Sequence, residues 1–138
     1  MAEKLKPGDI VPARLLETVS GAAVAVPDAV RLVHLQFRRF AGCPICNLHL
    51  RSFAARLAEI DAAGVREVVV FHSTAREMRR YEDHLPFAAI GDAAKKLYRE
   101  FWVEAGPRAL ANPRALWAVL RSIGPTTMDT IRRRFMTA

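Results

Sequence analysis

The arrangement of apolar and polar positions between residues 30 and 73 predicts a strand, a helix and a second strand. Residues 30–37 ("VRLVHLQF") alternate between two faces and are rich in β-branched and aromatic side chains, which is typical of a strand. The segment 44–63 has apolar residues at helical spacing and is followed by Gly64, where a helix can end. Residues 66–73 ("REVVVFHS") are almost continuously apolar, as expected of a strand covered on both faces.

The same alternation continues downstream. Thr74 and Glu77 have the spacing of a helix capping box. A short apolar strand is predicted at 86–90, and Asp92 can cap the helix that follows it. Prolines and glycines between short apolar runs at 5–30 predict a hairpin-like lead-in. Strands that alternate with helices in this way imply a parallel sheet with right-handed crossovers, an α/β fold.

Length and composition indicate one domain in a reducing compartment. The chain has 138 residues, enough for one domain with a sizeable core. No apolar run approaches the roughly 20 residues that a membrane helix requires, and the first 15 residues lack the apolar centre of a secretory signal. We therefore expect a cytoplasmic protein that does not interact with membranes. In that compartment a close cysteine pair favours catalysis or metal binding over a structural crosslink.

The positive charge is concentrated in the last part of the chain. The net charge is +7, and residues 105–138 contain six arginines and one acidic residue. No nucleic-acid recognition motif accompanies these arginines, so a solvated charged segment is favoured over nucleic-acid binding. Residues 112–122 look helical, with Asn112 as the cap and Pro113 in the first turn. We interpret residues 1–104 as the main folded unit and 105–138 as a basic, mainly helical extension of the same domain.

The chain contains two cysteines, Cys43 and Cys46, and both lie where a predicted strand gives way to a helix. With Cys43 at the cap, Pro44 occupies the first helical position, where its missing N–H costs nothing. The free N–H groups and the positive dipole end of the helix then favour a thiolate at Cys43. Cys46 lies one turn further on the same face. We therefore expect Cys43 to be the nucleophile and Cys46 to resolve a mixed disulfide or a sulfenic acid.

Three arginines make the surroundings of this pair electropositive. Arg38 and Arg39 precede the cysteines, and Arg51 follows Cys43 by two helical turns. A nearby cation favours the charged form of a thiol. All three are candidates for stabilising the thiolate.

Two other interpretations of the cysteines are weighed against redox chemistry. Two small buried thiols without a function would fit the same spacing. A zinc site would require two further ligands. The candidates are His34, His49, His72 and His84. No second cysteine pair or histidine cluster accompanies the first pair, so we expect no metal; His34 is expected to be a hydrogen-bonded strand residue and His49 to lie on a solvated helix face.

Three segments resemble the peroxiredoxin-like branch of the alkyl hydroperoxide reductase and thiol-specific antioxidant (AhpC/TSA) family. They are "KPGDIVPARLLETVSG", "GCPICNLHLRSF" and "LPFAAIGDAAKKLYREFWVE", and the resemblance covers residues 6–104. It implies the peroxidatic position for Cys43 and a recurrent arginine at Arg51. Where the family usually has proline and a hydroxyl residue before the cysteine, this chain has Gln36 and Phe40, and Trp102 stands where glycine is usual.

The resemblance implies a thioredoxin-like three-layer sandwich with a mostly parallel central sheet. The antiparallel hairpin that usually completes this fold is expected to be lacking or altered, because no two clear strands follow residue 105. "IGPTTM" faintly resembles the cis-proline segment that faces the cysteines in thioredoxins. A partner chain could cover the sheet edge that such a shortened fold exposes, which would make the protein a homodimer.

The expected function is that of a thiol-dependent oxidoreductase, either a thiol peroxidase or a thiol–disulfide oxidoreductase. The substrate is a peroxide or a disulfide, since the Cys-Pro-x-Cys spacing also resembles that of thioredoxins. An external thiol reductant, such as a thioredoxin- or glutaredoxin-type protein, restores the pair, and no cofactor is required because sulfur carries the electrons. The alternative is a non-catalytic, shortened thioredoxin-fold module that binds a partner or dimerises.

Overall fold

The computed structural model describes residues 4–82 and 85–103, together with Pro113 and Trp117. Its strands are β1 (Arg14–Glu17), β2 (Ala23–Val26), β3 (Leu32–Arg38), β4 (Val65–Phe71) and β5 (Ala88–Gly91). Its helices are α1 (Pro44–Ala55), α2 (Leu57–Ala62), α3 (Ala75–Glu82) and α4 (Lys96–Glu100). The alternation of strands and helices that the sequence predicts from residue 30 onward is confirmed.

Strands β3, β4 and β5 form a parallel sheet with β4 in the centre. In the register of β3 and β4, His34 lies opposite Glu67 and Gln36 lies opposite Val69. Strands β1 and β2 form an antiparallel hairpin, as the lead-in predicts. The N–H of Val19, just after β1, donates to the carbonyl of Ala89 at 2.8 Å and so ties the hairpin to β5.

Apolar side chains cover both faces of the parallel sheet, because β4 alternates its residues between two core clusters. One cluster joins Val68 and Val70 to α4 and the hairpin, and the other joins Val69 and Phe71 to α1 and α3. The first contains Val24, Val68, Val70, Ile90, Leu97 and Tyr98. The second contains Ala41, Leu50, Val69, Phe71, Met78 and Ala89. Helical and hairpin layers therefore enclose the sheet.

The segment 44–63 is two helices rather than the single one that its apolar spacing predicts. At Arg56 the backbone has φ −109° and ψ 13°, which ends α1. The N–H of Arg56 bonds to the carbonyl of Phe53 at 3.1 Å, the tight pattern common in a last helical turn. The carbonyl of Arg56 then accepts the N–H of Ile60 and starts α2. Gly64 follows α2 at φ +75°, as expected of a helix end.

Both predicted caps form. The N–H of Glu77 bonds to the hydroxyl of Thr74 at 3.2 Å, and the carboxylate of Glu77 accepts the N–H of Thr74 at 2.8 Å. The carboxylate of Asp92 accepts the N–H groups of Lys96 and Leu97 at 2.9 and 2.8 Å. These bonds fix the starts of α3 and α4 beside the ends of β4 and β5.

The predicted extension at 105–138, including the altered hairpin and the "IGPTTM" segment, lies outside the described residues apart from Pro113 and Trp117. Both of these are helical. In the described part of the chain, no helix is long and apolar enough to cross a membrane.

Candidate redox site

The two cysteines lie at the junction that follows β3. Cys43 is the N-cap of α1, with φ −64° and ψ 116°, and the exposed Pro44 takes the first helical position. The carbonyl of Cys43 accepts the N–H of Asn47 at 3.0 Å, which is the first hydrogen bond of the helix. Cys46 lies one turn along. These are the positions that the sequence predicts.

Both cysteines are reduced and buried. Cys43 is 3% exposed and Cys46 is 7% exposed. The two thiols are near enough for the charge of one to affect the pKa of the other. Within the described residues, the side chain of Cys43 makes no capping hydrogen bond to α1. Neither cysteine belongs to the two apolar clusters of the core. Both thiols are therefore covered and belong to the buried apolar residues of the protein, outside these two clusters.

The surroundings of Cys46 disfavour the ionised form of its thiol. Burial raises the pKa of the Cys46 thiol, and the neighbouring Cys43 raises it further through a hydrogen bond and its negative charge. A backbone hydrogen bond with Arg39 and the charge of Arg38 act in the opposite direction. A thiol that stays protonated until it is needed fits the second step of a two-cysteine reaction.

Arg38 is the arginine that interacts electrostatically with both thiols. It is half-buried, and burial lowers the pKa of its guanidinium, whereas the negative charges of Cys46, Glu67 and Cys43 raise it. Its Nη1 lies 2.7 Å from Nδ1 of His49, and its Nη2 donates to the side-chain oxygen of Gln36. The exposed His49 is thus a partner of Arg38 as well as a residue of the solvated helix face.

The other two arginines are placed differently. The side chain of Arg39 is exposed, and the interaction of this residue with Cys46 is a hydrogen bond of its backbone. Arg51 is exposed on α1. Any role of these two side chains in stabilising a thiolate stays a prediction.

Glu67 is the residue of this region that the sequence analysis missed. Its side chain is 2% exposed, and its two oxygens each lie 3.0 Å from Nδ1 of His34. The side-chain nitrogen of Gln36 donates to the same carboxylate at 2.6 Å. His34 is therefore hydrogen-bonded in its strand, as expected. The position of Glu67 within the apolar run 66–73 could have predicted this network, since a buried carboxylate requires polar partners.

The loop that precedes Cys43 is held by short-range and long-range bonds. The N–H of Cys43 donates to the carbonyl of Phe40 at 3.2 Å, and the N–H of Ala41 donates to the hydroxyl of Ser73 at 2.9 Å. The ring of Phe40 is half exposed and meets the ring of His72 edge-on at 6.3 Å. These contacts fix the position of the loop that leads directly into Cys43.

Among the described residues, no group of three or more His, Cys, Asp or Glu side chains is arranged to hold a metal ion. His84, one of the four candidate ligands, lies outside that part of the chain. The arrangement at Cys43 and Cys46 therefore offers two thiols and a cation, which is a set suited to sulfur chemistry.

No family model matches the sequence, and no curated protein matches it. Solved structures do match. A yeast mitochondrial 1-Cys peroxiredoxin superposes with a TM-score of 0.62 at 16% identity, over 69% of this chain and 49% of its own. Peroxidoxin BcpB from Mycobacterium tuberculosis gives a TM-score of 0.64 at 20% identity, over 72% and 67% of the two chains. Peroxiredoxin Q from Xanthomonas campestris gives 0.61 at 20% identity, over 72% and 65%.

The chain spans from about half to two-thirds of the length of these proteins. At such identities the similarity establishes architecture only. The resemblance noted in the sequence is confirmed at that level: this chain has the thioredoxin-like fold found in peroxiredoxins.

Proposed function

We propose that this chain is a thiol-dependent oxidoreductase in which Cys43 is the nucleophile and Cys46 resolves the intermediate. The observation that carries the proposal is the proximity of two free thiols at the start of α1, where the charge of Arg38 acts on both of them. The helix N-terminus and this cation favour negative charge at the sulfur that initiates the reaction. The chemistry belongs in a reducing compartment such as the cytoplasm.

With a peroxide as substrate, the thiolate of Cys43 attacks one oxygen and the O–O bond breaks. Cys43 becomes a sulfenic acid, and the departing oxygen takes up a proton to leave as water or an alcohol. Cys46 then attacks the sulfenic sulfur, the sulfenic oxygen leaves as water, and a Cys43–Cys46 disulfide remains. The peroxide has gained two electrons and the cysteine pair has lost two.

With a disulfide as substrate, the thiolate of Cys43 attacks one sulfur and forms a mixed disulfide. Cys46 attacks the Cys43 sulfur, releases the substrate as a dithiol and leaves the same internal disulfide. In both cases an external dithiol, from a thioredoxin- or glutaredoxin-type protein, returns two electrons and restores the pair. No bound cofactor enters either sequence.

The experiment measures consumption of hydrogen peroxide and reduction of a small disulfide by the wild type, in each case with a recycling dithiol. Cys43→Ser should abolish the active reaction, whereas Cys46→Ser, assayed without the recycling dithiol, should stop at the intermediate on Cys43. Mass analysis after stoichiometric peroxide should find an internal disulfide in the wild type and one added oxygen in Cys46→Ser. A wild type that reduces neither substrate, or a rate unchanged in Cys43→Ser, would contradict the proposal.

A second candidate is a non-catalytic binding or dimerisation module, and the burial of both thiols favours it, since inert cysteines are typically buried. In the described part of the chain, β3 pairs only with β4 and leaves its outer edge open for another chain. This candidate predicts thiols that stay unmodified after stoichiometric peroxide and a dimer by sedimentation. The redox proposal predicts an internal Cys43–Cys46 disulfide under the same conditions, whether or not the protein dimerises.

A further inference from the structure

We infer that Gln36 is a positioning residue, anchored by Glu67, that holds the guanidinium of Arg38 beside the Cys43–Cys46 pair. The inference deepens the proposed function and rests on it. Gln36 replaces the proline of the resembled motif, and the structure gives this replacement a role. The buried carboxylate of Glu67 accepts a hydrogen bond from the amide of Gln36, and the oxygen of this amide accepts one from Arg38.

The anchor is Glu67 on the central strand. Its side chain is almost fully buried, and its carboxylate is bonded to His34 and Gln36 of the neighbouring strand. A buried carboxylate without such partners would destabilise the fold, so both contacts are strongly held. Because β4 lies between β3 and β5, the position of this carboxylate is set by the sheet itself.

The amide of Gln36 has one orientation that satisfies both of its neighbours. A carboxylate can only accept and a guanidinium can only donate hydrogen bonds. The nitrogen of Gln36 must therefore face Glu67, and its oxygen must face Arg38, as the structure has them. A methionine of similar size could fill the space but could do neither.

Arg38 is fixed at further points. Its Nη1 contacts His49 on α1, and its main-chain carbonyl accepts a hydrogen bond from the hydroxyl of Tyr98. Its Nε is buried and has no hydrogen-bond partner among the described residues, so this donor is available to an anion that forms beside it. The charges of both thiols act on the guanidinium.

Among the described residues, charged and titratable groups from several elements act on the thiols electrostatically. Arg38 approaches from β3, and Tyr98 approaches from α4, where burial raises the pKa of its hydroxyl above the usual range and the charge of Cys46 adds to the effect. Cys43 and Cys46 face each other across the start of α1. At neutral pH, Tyr98 is uncharged and Arg38 is the cation, so the position of Arg38 determines how well a thiolate is stabilised.

The experiment compares Gln36→Met, which changes no charge, with Arg38→Met, which removes the cation. Thiolate absorbance is titrated with pH, and the rate of iodoacetamide alkylation is measured at pH 7. Both variants should raise the titration midpoint and slow alkylation by about threefold to tenfold, because a smaller fraction of the thiol is ionised. The double variant should match Arg38→Met alone, since Gln36 acts through Arg38.

Two controls accompany these variants. Arg76→Met removes an exposed arginine of α3 and should leave the midpoint unchanged. Gln36→Asn keeps the amide but is one methylene too short to reach both neighbours, so it should reproduce the effect of Gln36→Met even if the methionine variant folds poorly.

The titration midpoint and the alkylation rate together distinguish a positioning role of Gln36 from a role in packing. They also test this role independently of the proposed function. If Gln36 only fills space, its replacement would loosen the cover, speed alkylation of the buried thiols and leave the midpoint in place, which would overturn the inference. A raised midpoint in Arg38→Met but not in either Gln36 variant would overturn it too. The titration does not require turnover. If the wild type proved inactive but the Gln36 and Arg38 variants still raised the titration midpoint, the oxidoreductase proposal would be refuted and the positioning role of Gln36 would stand.

Discussion

The hydroxyl of Ser73 accepts the backbone N–H of Ala41 at 2.9 Å and thereby joins the loop before Cys43 to the end of β4. Both residues are buried, so this N–H has little access to water. We predict that Ser73→Ala leaves it unsatisfied and lowers the free energy of unfolding by about 1–3 kcal/mol. Urea unfolding would measure the loss.

The same substitution should make the cysteine pair easier to reach. Alkylation of the native protein is expected to be faster in Ser73→Ala than in the wild type, because the bond that is lost fixes the loop leading directly into the buried Cys43. Ser52→Ala removes an exposed hydroxyl from α1 and serves as the control, with an expected change within about 0.5 kcal/mol. An unchanged stability in Ser73→Ala would show that the bond to Ala41 contributes nothing net.

His49 should make stability depend on pH. Burial, followed by the charges of Arg38 and His34, lowers the pKa of His49 below its usual value. Because the folded pKa is lower than the unfolded one, the unfolded chain binds more protons between them. The contribution is therefore fully present above the unfolded pKa of about 6.5 and is lost as the pH falls through the folded value.

The measurement is urea unfolding of the wild type and His49→Gln across pH 5 to 8. The wild type should lose more stability on acidification than the variant, since a protonated His49 would face Arg38. Equal pH profiles for the two proteins would contradict the prediction. Observing the His49 ring by NMR titration would give the direction of the pKa change directly.

Gly91 should not tolerate a side chain. A Cβ at this position would lie 2.8 Å from the carbonyl oxygen of Ser73 and 3.0 Å from the backbone nitrogen of Ala75. Both are backbone atoms, so relief requires β5 to move away from the start of α3. We predict that Gly91→Ala destabilises the protein by about 1–3 kcal/mol, with Ala93→Ser on the neighbouring exposed turn as a control that changes little.

Lys95 lies just before α4 with φ +53°, a left-handed conformation that costs a side-chain-bearing residue about 1 kcal/mol or more. Its side chain is exposed, so packing does not offset this cost. Lys95→Gly should therefore be about 1 kcal/mol more stable than Lys95→Ala, although glycine usually destabilises a helix start by increasing the entropy of the unfolded chain. Thermal unfolding of the two variants at the same site makes the comparison, and a more stable alanine variant would refute it.

Local patterns were enough to predict the elements around the site. The period-two alternation of 30–37, the apolar run at 66–73 and the two helix caps depend on neighbours in sequence, and the structure confirms each of them. The break at Arg56 was not predictable in this way. The apolar spacing continues across it, with Phe53 before the break and Leu57 after it, so periodicity cannot distinguish one long helix from two short ones.

The polar network behind the cysteines escaped prediction for a different reason. Gln36 and Glu67 are 31 residues apart, and their contact depends on the register of two parallel strands. Sequence alone identifies the charged residue in an apolar strand, but it does not say which residue of the next strand lies beside it. The approach of Arg38 rather than Arg39 to the thiols follows from the same alternation of side chains across β3.

Trp102 stands where the resembled family usually has glycine, and the backbone conformation explains only part of this difference. This residue has φ +54°, so the local chain path is one that glycine adopts easily. Here a large side chain takes the same path. Nothing in the described residues accounts for the preference for tryptophan.

Because the thiols are closed off in the resting fold, their chemistry is expected to run no faster than the local opening that admits a reagent. Local opening of this kind would limit the rate with small oxidants that arrive by diffusion. Mild warming or low denaturant would then accelerate oxidation well before global unfolding, because the rate depends on local opening as well as on the ionised fraction of the thiol.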